Sequence, residues 1–379
     1  MAAIKTVLVV LSGFGSFYLS RLLPGGSDKY GLRLVGGVDP QPERSPHLAD
    51  LHAAQIPLYS DLKSFYAEHS ADLAILSTQI QTHYPLSQLA VEHGTHVLCE
   101  KPLCGSWEDA QAFQRPQAST DVQIAIGYQS SFSAAIQSLK QDLMPEAFGP
   151  VISAKAIACW PPSLAYFSRN GWAGRRTIAG QDVMDSPVNN ATAHFLHNLL
   201  YLLGSSKATS ARPVDISAQL YRATSIENFD TALIQLRTAT GIPLHFATAH
   251  PVQEGVAPTF SIRCEHAVIA MAQDEVVART VAGKELKHYG VPEEGEEAKF
   301  HHAAEMCRTG EAPCCGVDTA CSQTAVIDEL SKIPIQDFAA SSVDEESLAD
   351  GSRVRFVPGL HETLLRAYET STMPTTLDP

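Results

Sequence analysis

Short apolar runs alternate with amphipathic stretches through the first third of the chain. The apolar runs cover residues 4–11, 33–39, 72–78, 95–100 and 122–128. Between them, stretches such as HLADLHAAQ and YPLSQLAVEHG space their apolar residues at helical intervals. Continuous apolar strands separated by helices are typical of a parallel sheet covered on both faces. We therefore predict a Rossmann-type, doubly wound α/β domain over residues 1–128.

The pattern changes after residue 128, where longer runs alternate apolar and polar residues over 151–160, 214–223, 231–240 and 242–250. TATGIP joins the last two runs as a predicted hairpin, and HETLLRAYE predicts a final helix. Residues 129–379 are thus predicted to form an α+β domain with a large, mainly antiparallel open sheet, serving substrate binding and oligomerisation. An uncovered sheet face favours a homodimer or homotetramer.

Composition and charge restrict the partners. The 379 residues carry a net charge of −14, which repels nucleic acid and anionic membrane surfaces, so a small-molecule partner is expected. The apolar N-terminal run is too short to span a bilayer and lacks a cleavage signal, which predicts a cytoplasmic protein.

Eight cysteines are dispersed along the chain, which argues against a disulfide framework. Cys307, Cys314, Cys315 and Cys321 form a denser group, but their spacing lacks the paired C-x2-C knuckles of a zinc site. We expect no metal there and interpret the group as small residues of a helix and the following loop.

A glycine turn follows the first predicted strand. Gly13, Phe14, Gly15 and Ser16 match the start of a dinucleotide-binding turn, whose backbone N–H groups approach a pyrophosphate. Tyr18 occupies the third glycine position, which makes the motif weak by itself.

Asp39 ends the second predicted strand, where a carboxylate can accept hydrogen bonds from the adenosine ribose. It would repel a 2′-phosphate and so favours NAD over NADP, although Arg44 lies nearby. The alternative is that Asp39 is only a turn residue before Pro40.

The stretch VLCEKPLCG places Glu100 and Lys101 at the carboxyl end of a predicted parallel strand, with Pro102 next. Ligands of open α/β sheets bind at that edge. A partly desolvated Lys101 suits proton transfer or polarisation of a substrate hydroxyl. A solvated surface ion pair is the alternative.

GFGS, Asp39, STQIQTHYPLSQLAVEHGTHVLCEKPL and HFLHNLLYLLG together resemble the glucose-fructose oxidoreductase / inositol dehydrogenase / MocA family, over most of the chain to about residue 330. The resemblance implies that Lys101 lies beside the reacting substrate carbon and that Glu100 contacts the nicotinamide ribose, while Pro102 shapes the turn. It also implies cofactor contacts for Thr78 and His83.

The same resemblance makes His194 an acid/base of the second domain and puts Asn190 where relatives carry Asp. Asn190 cannot take up a proton at neutral pH, but its amide can orient a substrate. His197 is a second orienting candidate, or equally a structural histidine. Upstream, YFSRNGWAGRR supplies Trp172, Arg175 and Arg176 as candidates for binding a polyhydroxylated substrate. Arg169 and Arg176 could equally be surface or interface residues.

These residues predict an NAD-dependent oxidoreductase that acts on a CH–OH group of a sugar, polyol or sugar derivative, with Lys101 and His194 catalytic. One alternative is an enzyme that retains NAD and performs net non-redox chemistry, such as glycoside cleavage or epimerisation. A second is a non-catalytic nucleotide or sugar sensor, which Asn190 and Tyr18 favour.

Overall fold

A computed structural model describes residues 3–23, 27–115, 121–292 and 295–377. They form two compact units. The first comprises Met1–Cys104, Glu108–Phe132 and Gly295–Ala320, and the second comprises Gly105–Trp107, Ser133–Glu294 and Cys321–Pro379. The first unit therefore includes a later segment of the chain, while the functional boundary predicted at residue 128 stays a prediction.

Helices and strands alternate early and strands dominate later. The helices are α1 (Gly15–Leu22), α2 (Ser27–Tyr30), α3 (Leu48–Ala53), α4 (Leu62–Glu68), α5 (His83–Glu92), α6 (Trp107–Gln114), α7 (Ala134–Leu143), α8 (Ala193–Leu202), α9 (Gly295–Thr309), α10 (Val317–Ser331) and α11 (Leu360–Thr370). Among the described residues, none of these helices has the length and hydropathy needed to cross a membrane.

The strands are β1 (Ile4–Val9), β2 (Leu32–Val38), β3 (Leu58–Tyr59), β4 (Leu73–Leu76), β5 (His96–Cys99), β6 (Ile124–Ile126), β7 (Val151–Cys159), β8 (Thr177–Ile178), β9 (Gln181–Asp182), β10 (Pro213–Arg222), β11 (Thr231–Thr238), β12 (Pro243–Ala249), β13 (Val256–Cys264), β14 (Ala267–Ala272), β15 (Glu275–Thr280), β16 (Glu285–Gly290), β17 (Ile335–Asp337), β18 (Asp344–Ser347) and β19 (Arg353–Phe356).

The first unit is built on a six-stranded sheet in the order β3-β2-β1-β4-β5-β6, with every pair parallel. Strand β4 is buried along its whole length, as the continuous apolar run predicted. The strand order reverses between β1 and β4, which is where ligands bind in open α/β sheets. The predicted Rossmann-type fold is confirmed.

The second unit contains a nine-stranded sheet in the order β16-β15-β14-β13-β7-β12-β11-β10-β17. Its β11–β12 pair is the predicted hairpin. The sheet is mixed, because β7 pairs with β12 in parallel and β10 pairs with β17 in parallel. The remaining pairs are antiparallel, so the mainly antiparallel α+β prediction is confirmed.

Alternate residues of the central strands feed two separate apolar cores. On β7, Ala154 and Ala156 face a core shared with α7, α8 and α10, whereas Ile157 and Cys159 face the opposite core. That second core is closed by the C-terminal segment, which contributes Leu360 and other apolar residues. The chain itself thus covers this face over β7, β12, β11 and β10, which weakens the argument for a partner subunit there; the oligomeric state stays a prediction.

Polar side chains also tie the C-terminal segment to the sheet. Lys155 Nζ donates to the carbonyls of Tyr368 and Glu369, each at 2.8 Å, at the end of α11. Gln219 Nε2 donates to the Pro374 carbonyl at 2.6 Å. A cation near the carboxyl end of a helix also interacts favourably with the helix dipole.

Leu364→Ala tests whether α11 is part of the core. Leu364 is fully buried in the second core, so we expect the free energy of unfolding to fall by about 2–5 kcal/mol, measured by urea denaturation. Arg366→Ala, on the exposed side of the same helix, should change it by less than about 0.5 kcal/mol. Equal losses in the two variants would contradict the packing of α11 on the sheet.

Candidate functional site

The glycine turn of the first unit has the bare backbone that close approach of a ligand requires. Gly13 adopts a φ of +56°, and space is open around the position of a Cβ there. A Cβ on Gly15 would lie 2.1 Å from the carbonyl oxygen of Val10, so no larger residue fits. Helix α1 starts at Gly15, directly after the turn. The predicted residues Gly13, Phe14, Gly15 and Ser16 therefore form a strand-turn-helix cradle suited to a pyrophosphate.

Asp39 lies against this turn. Its Oδ2 accepts the backbone N–H of Leu11 at 2.9 Å, and its Oδ1 accepts that of Gln41 at 2.9 Å. Each carboxylate oxygen keeps a further acceptor site for a ribose hydroxyl. Asp39 is thus more than a turn residue before Pro40, because it braces the glycine turn from the end of β2.

Tyr18, in the third glycine position, makes a specific contact. Its side chain is fully buried, and its hydroxyl donates to Oε1 of Glu100 at 2.6 Å. Burial, followed by the neighbouring Glu100 charge, raises the pKa of Tyr18 well above its usual value. The tyrosine in the third glycine position therefore links helix α1 to the end of β5.

Glu100 is buried, so it is not part of a solvated surface ion pair, the alternative that the sequence left open. Its Oε1 also accepts a hydrogen bond from Lys299 Nζ at 2.8 Å, and its Oε2 accepts the backbone N–H of Lys101 at 3.2 Å. Burial opposes ionisation, but the charge and hydrogen bond of Lys299 and the hydroxyl of Tyr18 lower the pKa of Glu100 to about 2. Glu100 is a carboxylate at neutral pH.

His83 holds the turns that follow β4 and β5. Its Nδ1 lies 2.8 Å from the Pro102 carbonyl oxygen and its Nε2 lies 3.3 Å from that of Thr78. The peptide bond between Lys101 and Pro102 is cis. Burial lowers the pKa of His83, so the ring is neutral and donates one proton. The structure brings Thr78, His83, Glu100, Lys101 and Pro102 together at the carboxyl edge of the sheet, with Lys101 half-buried.

The second unit presents the other candidate residues around helix α8. His194 is half-buried in its first turn, whereas His197 is only 1% exposed. Burial, then the charges of His194 and Lys140, lower the pKa of His197 well below its usual value. His197 is therefore a neutral ring inside the helix packing, and a direct contact with substrate stays a prediction.

Asp185 is a central residue of this region that the sequence analysis did not single out. It is 3% exposed. Its Oδ1 accepts from Asn190 Nδ2 at 2.8 Å, and its Oδ2 accepts the backbone N–H of Gly174 at 2.6 Å. Arg169 Nη2 lies 3.7 Å from the same Oδ2. A buried carboxylate thus lies beside Asn190 and accepts a hydrogen bond from its amide nitrogen.

Of the arginines upstream, Arg169 is the one that reaches this carboxylate. Its guanidinium lies 3.7 Å from the ring centroid of Tyr166 and 5.0 Å from that of Trp172. Arg175 instead pairs with Glu227 at 3.4 Å and is exposed. Arg176 donates to the carbonyl of Ser331 at 2.8 Å. Substrate binding by Arg175 and Arg176 stays a prediction. Trp172 is joined, through Arg169, to Asp185 and Asn190.

Aromatic rings extend the surface formed by Arg169. Trp160, which is 47% exposed, Tyr166 and Phe167 surround His250, with ring centroids 5.7–5.8 Å from its ring. Burial lowers the pKa of His250 to about 4, and burial raises the pKa of Tyr166 to about 12.

A cavity of about 510 Å³ lies at the start of α8, next to these rings. Its lining includes Trp160, Thr192 and Phe195. The exposed ring of Trp160 beside polar groups suits the C–H face of a sugar.

The four clustered cysteines do not converge. Cys307 lies on α9 and Cys321 on α10, with Cys314 and Cys315 between the helices, and none of the eight cysteines, all within the described ranges, forms a disulfide. Across the described ranges, no three or more His, Cys, Asp or Glu side chains are grouped so as to hold a metal ion.

Comparison with known proteins agrees with the fold. Residues 5–128 match the model of the Gfo/Idh/MocA oxidoreductase family, described as having an NAD-binding Rossmann fold. The match includes the glycine turn, Asp39 and the Glu100–Pro102 turn. It confirms the expected nicotinamide cofactor.

Among curated proteins, D-apiose dehydrogenase of Rhizobium rhizogenes is 25% identical over 39% of this chain and 42% of its own length. Inositol 2-dehydrogenase 1 of Saccharopolyspora erythraea is 22% identical over 65% of this chain and 66% of its own. This chain spans less than half the length of most of the relatives that it matches. The WlbA dehydrogenase of Bordetella pertussis, solved with NADH and UDP-GlcNAcA, has a TM-score of 0.70 at 18% identity, covering 87% of this chain and 95% of that one. This likeness shows a shared fold.

Gly13→Ala and Gly15→Ala form a matched pair at the glycine turn. Gly15→Ala forces a clash with the Val10 carbonyl, so we expect NADH affinity to fall at least about a hundredfold, measured by fluorescence titration. Gly13→Ala meets open space and carries only the backbone strain of its positive φ, about 1–2 kcal/mol. Equal affinity in the two variants would contradict a close approach of the dinucleotide at Gly15.

Proposed function

We propose that the chain is a member of the Gfo/Idh/MocA oxidoreductase family, whose model its residues 5–128 match, and that it is an NAD-dependent dehydrogenase that oxidises a CH–OH group of a sugar, polyol or sugar derivative. The observation that carries the proposal is the first-unit constellation, in which the Gly15 turn, Asp39 and the ionised Glu100 beside Lys101 occupy one edge of the parallel sheet. This edge is where open α/β sheets bind their ligands.

Asp39 supports NAD over NADP. Its carboxylate is held by the backbone of the glycine turn and by Gln41, so it cannot swing away from a bound adenosine ribose. A 2′-phosphate at that position would meet a fixed negative charge. Arg44 lies on the exposed turn after β2 and is the residue that would relax this preference.

Bound NAD supplies the hydride acceptor at C4 of its nicotinamide ring. Glu100 is placed to accept a hydrogen bond from the nicotinamide ribose through its Oε2, since Oε1 already accepts from Tyr18 and Lys299. Lys101, next in the chain, polarises the substrate hydroxyl and takes part in moving its proton. His83 acts through the carbonyls of Thr78 and Pro102, and so positions this turn.

In the second unit, His194 is the general acid/base, and general acid/base catalysis typically contributes about 10² to 10⁴ in rate. Asn190, whose amide nitrogen donates to Asp185, orients a substrate hydroxyl. Arg169, spread over Tyr166 and Trp172, provides guanidinium donors and aromatic faces on one surface. These features support a polyhydroxylated substrate rather than an apolar one.

The relatives named above act, by their names, on an aldose and on inositol, in line with this class of substrate. Tyr18 no longer favours a non-catalytic sensor, because it contacts Glu100 at the proposed site. Net non-redox chemistry on a retained NAD is not favoured by any specific contact. The cytoplasmic location and the homo-oligomeric state stay predictions.

Lys101→Ala tests the proposed reaction. With NAD and a panel of sugars, polyols and sugar derivatives, the wild-type protein should form NADH with at least one panel member, monitored by nicotinamide absorbance. The variant should lose about 10² to 10⁴ of that rate while still binding NADH. Wild-type protein that binds NADH but reduces NAD with no substrate of the panel would contradict the dehydrogenase proposal.

Arg169→Ala and Arg175→Ala separate the two arginines of the second unit. Loss of Arg169 removes the cation on Trp172 and leaves Asp185 without its ion-pair partner, so KM for the sugar should rise about tenfold or more. Arg175 is exposed and pairs with Glu227, so its removal should change KM less than about twofold. The reverse order of effects would place the substrate surface at Arg175.

A further inference from the structure

Lys299 is a buried cation next to the proposed cofactor site, and the proposed reaction gives it no role. It belongs to α9, which packs within the first unit. Its side chain is fully buried, and its Nζ lies 2.8 Å from Oε1 of Glu100. Fully buried lysines are rare unless they are paired, because removing an ammonium from water is costly. The position of this one therefore needs a specific explanation.

The ammonium of Lys299 is also surrounded by aromatic rings from the start of α1. Its Nζ lies 5.1 Å from the ring centroid of Phe14, 5.3 Å from that of Phe17 and 4.8 Å from that of Tyr18. Ring faces attract cations at this range. Phe14 belongs to the glycine turn, so a single ammonium contacts both that turn and the carboxylate that precedes Lys101.

The surroundings of Glu100 are shaped around this pair. Glu100 faces three titratable groups on other elements, namely Tyr18 of α1, His83 of α5 and Lys299 of α9. Cys99 and Lys101 flank Glu100 in the chain. Gly127, after β6, leaves the room required, since a Cβ there would lie 3.1 Å from Oε1 of Glu100. Replacing that glycine would push the carboxylate away from its partners.

We propose that Lys299 is a positioning residue of the nicotinamide dinucleotide site, which holds Glu100 ionised at the end of β5 and couples it to the glycine turn through Phe14. This inference rests on the proposed function. Lys299 does not touch the reacting atoms. It keeps Glu100 charged and its Oε1 engaged, so that Oε2 remains for the nicotinamide ribose and the Lys101 turn stays in place.

Lys299→Met tests the proposal through the stability of the protein without cofactor. In wild-type protein the lowered pKa of Glu100 contributes stability above about pH 4.5, which is lost as pH falls towards 2. Without Lys299, burial raises the pKa of Glu100 in the folded variant above its ordinary value. The variant therefore loses stability as pH rises through this raised pKa. From pH 6 to 8.5 the Tm of the variant should fall about 3–6 °C more than that of wild-type protein.

NADH binding provides the second readout. At pH 6, fluorescence titration should show Lys299→Met binding about tenfold to a hundredfold more weakly than wild-type protein, because its Glu100 is protonated. Glu100→Gln/Lys299→Met removes both charges. It should bind NADH about as weakly as Lys299→Met does, while its Tm should change with pH as the Tm of wild-type protein does. Lys299→Arg keeps the charge and should restore both the Tm profile and the affinity.

Lys140→Met is the matched control. Lys140 is also buried over an aromatic ring, but its Nζ donates to the carbonyls of Tyr201 and Thr209 in the second unit. We expect a lower Tm with wild-type NADH affinity. The proposal is overturned if Lys299→Met changes neither the pH dependence of Tm nor the affinity for NADH. It is also overturned if Lys299→Met does not fold and Glu100→Gln/Lys299→Met does not fold either. Wild-type protein that fails to bind NADH would instead overturn the proposed function.

Discussion

The ion pair between Glu100 and Lys299 is the interaction on which the proposed cofactor site depends most. One oxygen of Glu100 accepts from both Tyr18 and Lys299, at 2.6 and 2.8 Å, while the other accepts the N–H of Lys101. Breaking such a buried pair by removing one partner typically costs about 3–5 kcal/mol, because the other charge is left uncompensated. The carboxylate, the glycine turn and the Lys101 turn are therefore held as one arrangement.

A buried carboxylate with several partners also organises the second unit. Asp185 accepts hydrogen bonds from the Asn190 amide and the Gly174 backbone N–H, and it pairs with the Arg169 guanidinium. It fixes the orientation of Asn190 and places Arg169 over two aromatic rings. In both units a buried charge with several donors positions the residues proposed to meet the ligand. Groups positioned in advance in this way reduce the reorganisation that a reaction requires.

Much of the fold was predictable from the sequence, because the information was local. The apolar runs of β1, β4 and β5 indicate a buried parallel sheet. Gly13 and Gly15 lie in the turn that follows β1, and Asp39 comes directly after β2. Lys299 could not be found in this way, because it lies 199 residues from Glu100 in the chain. The first turn of its helix carries two glutamates, which is typical of a solvated helix.

Arg169, Arg175 and Arg176 lie in one short stretch of sequence, and only their partners in the structure distinguish their roles. Tyr18 weakens the glycine motif when the sequence is read alone, because its partner Glu100 follows a distant strand. The C-terminal cover of the second sheet face was missed because residues 331–359 have no strong periodicity.

The ionisation state of Glu100 tests this account most directly. In protein labelled with ¹³C at the glutamate carboxyls, and with the Glu100 resonance assigned from the Glu100→Gln spectrum, the shift can be followed as a function of pH with and without NADH. We predict that the resonance stays at its ionised position down to about pH 3 and moves when NADH is added. Titration at or above the usual pKa of a glutamate, or a resonance that does not respond to saturating NADH, would contradict the account.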